Sequence, residues 1–496
     1  VGALSREEKE VVHKKSDGVD VIVVGSGIAA LMTAYYASKH GFSVQVISMS
    51  PDPRLSHAPD PFSSTFGGED SRFITVTEGH PYLGTNAYVN EMYPDMQGAF
   101  TKPLTAGGWL GQSEHQYRIE DRDWLRERYL ANEQAHEIQQ RFNAYVEENR
   151  ASLTLWCELW RADSHLTRGI DLDRDGVLRV YGSEGLWQMA GTFHEQQGVL
   201  RERIAIDQTV KRFPFLKDAV ATGKIAGCLV VEGYAFRVQV FLRNLINSLQ
   251  KDGVQFNFNL GIQDLEWAAA DVLGGIKDAH GKIWSAQHYS FQLGAHDIHR
   301  LRKRVHAADT IAGVAGGWIL FPCPADFTLP MKVHDGIQVV DGTLRPVVDL
   351  NLKPVLAEDG RRWLIVGGGY LFVGRPPFQI DPANEMLMYA EIKRVCQRFL
   401  PAAYETAHAS GEIILSNRVC VRSFTPNDQE LCYQISTAKD GIALFEGGGN
   451  TGTTTKAPFR ALASIERFRG KNAAGSIQLS VFECPDVLRT DRGIRR

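Results

Sequence analysis

The feature that most constrains this chain is a short apolar run, Val21 to Val24, joined directly to G-S-G-I-A-A (Gly25 to Ala30) and then to L-M-T-A-Y-Y-A-S-K-H-G. Four apolar residues without alternation read as a strand of a parallel sheet, buried on both faces. The order of small residues after it has a physical logic. Gly25 permits a tight turn, Gly27 lets backbone N–H groups approach a pyrophosphate, and Ala30 is small enough for the following helix to pack on the strand. Ala29 lies in the same opening turn and is counted with the nucleotide contacts. The helix that starts here points its positive end at the phosphates. Gly41 ends that helix, and F-S-V-Q-V-I-S alternates as a second strand. A Rossmann-type unit in an α/β chain follows. The second strand of such a unit usually ends in an acidic residue that bonds the adenosine ribose, and here Ser48 takes that place, which leaves NADP open beside FAD.

The 496 residues exceed one compact core and fit two domains. With 44% hydrophobic and 23% charged residues, the composition is that of an ordinary globular protein. A net charge of −4 gives no electrostatic reason to expect nucleic acid or an anionic membrane as partner, so a small molecule is the expected one. The seven cysteines are scattered and contain no C-x-x-C pair, which argues for a reducing compartment and against a disulfide framework or structural zinc. There is no apolar stretch of membrane-spanning length and no signal-like apolar region at the start, so a cytoplasmic location is expected.

Three further segments separate FAD from a nicotinamide. S-S-T-F-G-G-E-D-S-R-F-I-T-V-T-E-G, Ser63 to Gly79, is a polar glycine-containing loop with one basic residue, Arg72. C-V-R-S-F-T-P-N-D, Cys420 to Asp428, reads as a strand entering a turn. G-I-A-L-F-E-G-G-G-N-T-G-T-T-T-K-A-P-F-R-A-L-A-S-I-E-R-F reads as a strand, a Gly/Thr-rich loop and a C-terminal helix whose start is marked by threonine and Pro458. Between them lie V-V-E-G-Y-A-F-R-V-Q-V-F-L-R-N-L, K-D-G-V-Q-F-N-F-N-L, S-F-Q-L-G-A-H-D-I and W-L-I-V-G-G-G-Y-L-F-V-G. In this order the segments resemble the D-amino-acid oxidase superfamily, in particular its sarcosine oxidase and glycine oxidase branch, over most of the chain.

The resemblance implies an FAD enzyme and assigns roles residue by residue. Arg72 falls where sarcosine oxidases place a flavin-contacting arginine. Three residues on, where those enzymes carry a second arginine for the substrate carboxylate, this chain has Thr75, so that contact is absent or comes from elsewhere. Arg422 matches the glycine oxidase arginine that clamps the carboxylate, a bidentate task suited to guanidinium. Cys420, in C-x-x-x-x-T-P, falls where sarcosine oxidases attach FAD through a thioether; a buried cysteine acting as a small hydrophobe is the other reading, and both stay open. Lys456 resembles the family lysine that helps hold the carboxylate or manages oxygen, against a solvent-facing lysine. Gly294 would border the cofactor, and Gly449, Asn450, Thr451, Gly452 and Thr453 would place a helix N-terminus at the pyrimidine edge of the flavin, where negative charge gathers on reduction.

D-L-D-R-D-G-V-L-R-V, from Asp171, imitates a calcium loop, but Gly182 stands where its bidentate glutamate is required, and the flanks read as a hairpin. The 15 histidines show no metal spacing, and no metal is expected. The expected organisation is a flexible leader over 1–17 and an FAD-binding domain from 18–110, 233–300 and 411–475. A mixed-sheet α+β substrate domain comes from 111–232 and 301–410 and includes a long helical segment, and 476–496 form a tail. The expected reaction is oxidation of the C–N bond of an amino acid or amine by hydride transfer to flavin, giving an imine that water hydrolyses, with oxygen or another acceptor closing the cycle. The helical segment hints at a bulkier substrate, such as an N-substituted amino acid of a specialised biosynthetic pathway. Two alternatives remain: an NAD(P)-dependent dehydrogenase and a non-catalytic flavin-fold subunit. Oligomeric state is not legible.

Overall fold

The structure is a computed structural model that describes residues 18–54, 73–78, 100–131, 135–296, 310–334, 338–340, 343–345, 349–356, 360–376, 378, 380–415, 419–449 and 452–470. Arg72, Asn450, Thr451, the leader and the tail lie outside the described residues.

Two large sheets organise the chain. In the first, the strand order is Ile283–Trp284, Val272–Asp278, Leu431–Thr437, Ile442–Gly447, His288–Leu293, Val21–Val24, Val44–Ile47 and Gln255–Asn257, with Ile262–Ala269 on the far side of Val272–Asp278. Its centre is parallel: Val21 lies opposite both Val44 and His288, and Tyr289 opposite Ala443. Val21, Ile22 and Val23 are buried because both faces of the sheet are covered, Val21 and Val23 by helices and Ile22 in a cluster with Leu265, Leu273 and Ile276 of the strands Ile262–Ala269 and Val272–Asp278, which is why the run does not alternate. The helices Ile28–Lys39, Val238–Lys251 and Thr453–Phe468 bury Leu31, Ala34, Phe241, Leu245, Ala461 and Ile465 in the shared core.

In the second sheet the order is Ile414–Leu415, Ala312–Pro322, Arg362–Gly374, Asp349–Leu356, Met331–His334, Val177–Tyr181, Gly227–Val231 and Leu200–Ala205, with Cys420–Phe424 also on Ala312–Pro322. The two faces differ sharply. Leu178, Val180, Ala315, Ile319, Met331, Val333, Leu352 and Val366 form one face, packed with Met388, Ile392 and Val395 of helix Pro382–Phe399. Alternate residues turn to the other face, where Val177, Tyr181, Val314, Phe372 and Phe424 join the core that also holds the first sheet's helices. The strand Val177–Tyr181 does not form the local hairpin expected around Asp171. It pairs with Gly227–Val231 and Met331–His334, because its alternation gives it two differently buried faces that only a sheet interior satisfies.

The long helix Ala135–Ala162 packs on the C-terminal helix Thr453–Phe468. Ser152 Oγ donates to the Thr455 carbonyl, and Arg460 pairs with Glu148 at 2.7 Å. The C-terminal helix begins at Thr453, so Pro458 lies in its second turn instead of at its start. Among the described residues no helix is long and apolar enough to cross a membrane.

Candidate active site

At the nucleotide end, Gly25 has φ +114°, a conformation that favours glycine, and its N–H bonds the Ile47 carbonyl at 2.8 Å, tying the turn to the neighbouring strand. Gly27 caps the helix without a side-chain bond, so the first N–H groups of Ile28–Lys39 stay bare. A Cβ on Gly27 or on Gly294 would meet nothing within 4 Å, so both glycines face open space at the carboxyl ends of adjacent parallel strands. That crevice is where an α/β sheet binds a dinucleotide, and the bare N–H groups suit a pyrophosphate. Ala30 is fully buried against the sheet, while Ala29 is partly exposed and accepts from Thr33 Oγ1 at 3.0 Å. Ser48 is buried at the end of its strand and shares a hydrogen bond of 2.7 Å with Ser26, so its hydroxyl braces the glycine turn.

The glycine loop before the C-terminal helix is crowded in a way that only glycine accommodates. Gly448 has φ +75°, and a Cβ there would strike Thr425; one on Gly449 would strike Thr453 and Glu430, and one on Gly452 would strike Tyr145. Lys456 is buried in this packing. Its ammonium lies 3.0 Å from Glu430 Oε1 and 4.2 Å from the centre of the Tyr145 ring. Arg460 holds the other Glu430 oxygen at 2.9 Å. Burial alone would raise the Glu430 carboxyl, but Arg460 and Lys456 outweigh it and hold it below the ordinary range. The solvent-facing reading of Lys456 is therefore replaced by an inward ion pair.

On the second sheet, Cys420 and Arg422 alternate to the same face, opposite Gly316 and Val314. Arg422 Nη1 donates to the Gly369 carbonyl at 2.9 Å, and its guanidinium lies over the Tyr370 ring at 5.0 Å, with Tyr370 stacked on Trp109. A side chain on Gly316 would occupy the place of that guanidinium. Cys420 packs with Trp318, Val355 and Ile365. The turn that follows is clamped by Arg128, which pairs with Asp428 at 2.6 Å and donates to the Pro426 carbonyl at 3.1 Å.

The structure also brings together residues that the sequence did not single out. Arg179, Lys332, His334 and Asp349 come from three adjacent strands and face the dinucleotide side, where Glu78 and Thr75 meet them. Arg179 Nη2 lies 3.2 Å from Thr75 Oγ1, 3.3 Å from Thr77 Oγ1 and 3.3 Å from Glu78 Oε2, and Lys332 bonds the other Glu78 oxygen. Arg179 Nη1 is 3.3 Å from His334 Nε2, and His334 Nδ1 is 3.3 Å from Asp349 Oδ1. Guanidinium has only donors, so Nε2 must accept and the imidazole proton sits on Nδ1, toward Asp349. Burial, helped by Arg179 and Lys332 and opposed by Asp349, lowers the His334 pKa and keeps the ring neutral. Thr75, where an arginine was missing, thus receives a guanidinium from another strand. The available signal was alternation: V-L-R-V-Y, M-K-V-H and D-L-N-L-K each put polar residues at every second place of an otherwise apolar strand.

Among the described residues no three His, Cys, Asp or Glu side chains are grouped to hold a metal ion. In the Asp171 loop the positive charge is a lysine: Lys353 Nζ donates to the Asp171 carbonyl at 2.8 Å, and burial, partly offset by Asp173 and Asp171, lowers its pKa to about 8.

Comparison with known proteins accords with this arrangement. A family model described as an NAD(P)-binding Rossmann-like domain matches residues 23–60. Among solved structures, glycine oxidase from Geobacillus kaustophilus superposes with a TM-score of 0.60 at 12% identity, covering 94% of this chain and 98% of the other. Iminodiacetate oxidase from a Chelativorans species gives 0.54 at 13% identity, covering 91% and 96%. L-α-glycerophosphate oxidase from Mycoplasma pneumoniae, solved with FAD bound, gives 0.55 at 12% identity, covering 92% and 95%. These likenesses show the fold. The model of the DAO family, described as FAD dependent oxidoreductase, matches residues 77–457, most of the chain, and with a nucleotide crevice that fits FAD the chain belongs to the DAO family of FAD-dependent oxidoreductases.

Proposed function

We propose that this protein oxidises the C–N bond of an amino acid or N-substituted amino acid to an imine, which water hydrolyses. The observation that carries this reading is Arg422. A guanidinium stands on the sheet face that looks toward the dinucleotide domain, aimed by the Gly369 carbonyl and the Tyr370 ring, in space that Gly316 leaves open. Such a group can hold a carboxylate in a fixed orientation. When bound, FAD supplies the hydride acceptor, and oxygen or another acceptor reoxidises it.

The residues of the chain then divide the work. Gly25, Gly27, Ala29, Ala30, Ser48 and Gly294 would hold the nucleotide portion, and Gly449 to Thr453 with the helix that follows would border the ring. Lys456 and Arg460 fix Glu430 and thereby the loop, so Lys456 acts as a positioning residue in this reading. Arg72 remains the proposed contact from the preceding loop. Glycine oxidase and iminodiacetate oxidase, two of the structural neighbours, are named for amino-acid substrates of this kind.

The test is anaerobic mixing of the holoenzyme with a panel of primary and N-substituted amino acids while the oxidised-flavin absorbance is followed. Bleaching by one class of amine supports the reading. If no amine bleaches the flavin while dithionite does, the protein is a non-catalytic flavin subunit or acts on another bond.

A further inference from the structure

The helix Ile119–Ala131 has two unlike sides. Its inner side is anchored. The Trp124 indole N–H donates to the Thr310 carbonyl at 2.8 Å and its ring stacks on Phe372, Asp121 accepts from the Arg375 N–H at 2.9 Å, and Arg128 holds Asp428. Its outer side carries large apolar side chains into solvent, with Ile119 61%, Tyr129 55% and Leu130 50% exposed. Nine large apolar side chains are exposed among the described residues, and three of them stand on these 13 positions, the densest such group. Ile119, Asp123, Arg126 and Leu130 follow one another at intervals of four, three and four residues, so they form one stripe along the helix. Asp123 and Arg126, exposed between the apolar ends, have no ion-pair partner among the described residues.

We infer that this stripe is a two-fold interface whose occupant is a second copy of this chain, packed antiparallel, helix on helix. The stripe is complementary to its own reverse. A two-fold axis normal to the helix and midway between positions 124 and 125 sets Ile119 against the partner's Leu130 and Asp123 against the partner's Arg126, and symmetry makes each contact twice. At about 100° per residue all four side chains lie within about 30° of that axis, so they meet in the plane of contact. A parallel pairing in register would set Asp123 on Asp123 and Arg126 on Arg126, which like-charge repulsion opposes. The charges thus fix both direction and register, and a foreign partner would not require the stripe to be its own complement. Because the helix is held from behind, docking orders little further backbone. At about 1.5 Å per residue the contact is about 20 Å long, which places the interface at the small end of specific ones and the dimer in the micromolar range.

The experiment is sedimentation velocity of the FAD holoenzyme from nanomolar to high micromolar concentration. A monomer–dimer equilibrium is expected, weakened by salt because the charge pairs lie at the surface. Asp123→Arg makes both charges of the stripe positive and Arg126→Asp makes both negative, so each variant alone should dimerise at least about tenfold more weakly. Mixed in equal amounts, the two should recover dimers, since each then meets the opposite charge, and the variant with both exchanges should dimerise by itself. Flavin content and thermal unfolding check that each variant is folded, and Leu130→Ser, which leaves the charges in place, should weaken the dimer if an exchange variant fails to fold. A monomer across the whole range would overturn the inference and leave the stripe to a foreign partner. A dimer that the single exchanges do not weaken, or exchange variants that do not associate when mixed, would overturn it by placing the interface elsewhere.

Discussion

The Trp156 indole N–H reaches the Thr454 carbonyl at 3.3 Å, the carbonyl that Pro458, four residues further on and without an N–H, leaves without its helical donor. The same N–H is 3.1 Å from the Thr455 carbonyl, which Ser152 also bonds. A proline in the second turn is thus tolerated because a neighbouring helix supplies the missing donor. Trp156→Phe keeps an aromatic side chain, smaller than indole, and removes the donor. It should cost about 1–3 kcal/mol, the penalty of a buried acceptor left unpaired, measured by chemical denaturation of the holoenzyme.

Arg422→Gln removes the charge that the proposed reaction uses to hold the carboxylate. The expected result is a KM raised about ten- to a hundredfold in steady-state assays, with flavin content unchanged. An unaltered KM would show that Arg422 serves only the Gly369 carbonyl.

Lys456→Met leaves a buried carboxylate with one partner in place of two. Because Glu430, Arg460 and Glu148 form one chain of ion pairs, the loss should appear first as destabilisation of about 3 kcal/mol and weaker FAD retention. A variant of unchanged stability with a lowered kcat would instead place the ammonium at the reacting atoms.

Cys420 is enclosed by Trp318, Val355 and Ile365, the surroundings of a cysteine used as a small apolar filler. Acid precipitation is accordingly expected to release FAD into the supernatant. Yellow colour retained in the pellet and lost in Cys420→Ala would assign a thioether to this sulfur.

His288 is buried against Phe468, and its Nδ1 accepts from the Ile442 N–H at 3.2 Å. Burial, slightly opposed by Asp20, lowers its pKa from 6.5 to about 4. The folded protein therefore favours the neutral ring. This contribution to stability is present above pH 6.5 and is lost as pH falls toward 4, because the unfolded chain takes up the proton first. His288→Asn should flatten that part of the stability–pH curve, measured by thermal unfolding across the interval.

The nucleotide unit was legible because its determinants are local: a strand, a glycine turn and a helix lie within Val21–Lys39, and each residue's role follows from its neighbours. The strands at Cys420 and Arg362 and the loop before the C-terminal helix were legible through family resemblance. The Arg179 group was not. Its members are contributed from positions 78, 179, 332, 334 and 349, and nothing in a linear reading shows that Lys332 stands beside Asn351 or that Arg179 reaches Thr75. Lys456 illustrates the same limit: its residue type was visible, but its buried partner, Glu430, lies on another segment. The position of Pro458 misled because the donor that replaces its missing N–H comes from residue 156 on another helix.

The strand Ile442–Gly447 lies between His288–Leu293 and Leu431–Thr437, so part of the middle of the first sheet is supplied almost at the end of the chain. During synthesis, the edge of His288–Leu293 stays open for some 150 residues of further translation, at roughly 5–20 residues per second, before its partner leaves the ribosome. An unpaired apolar edge is a template for association with other chains. The yield of protein in the cell should therefore depend on translation speed and chaperone supply over this stretch of the message, and chains that terminate before Leu431 should aggregate.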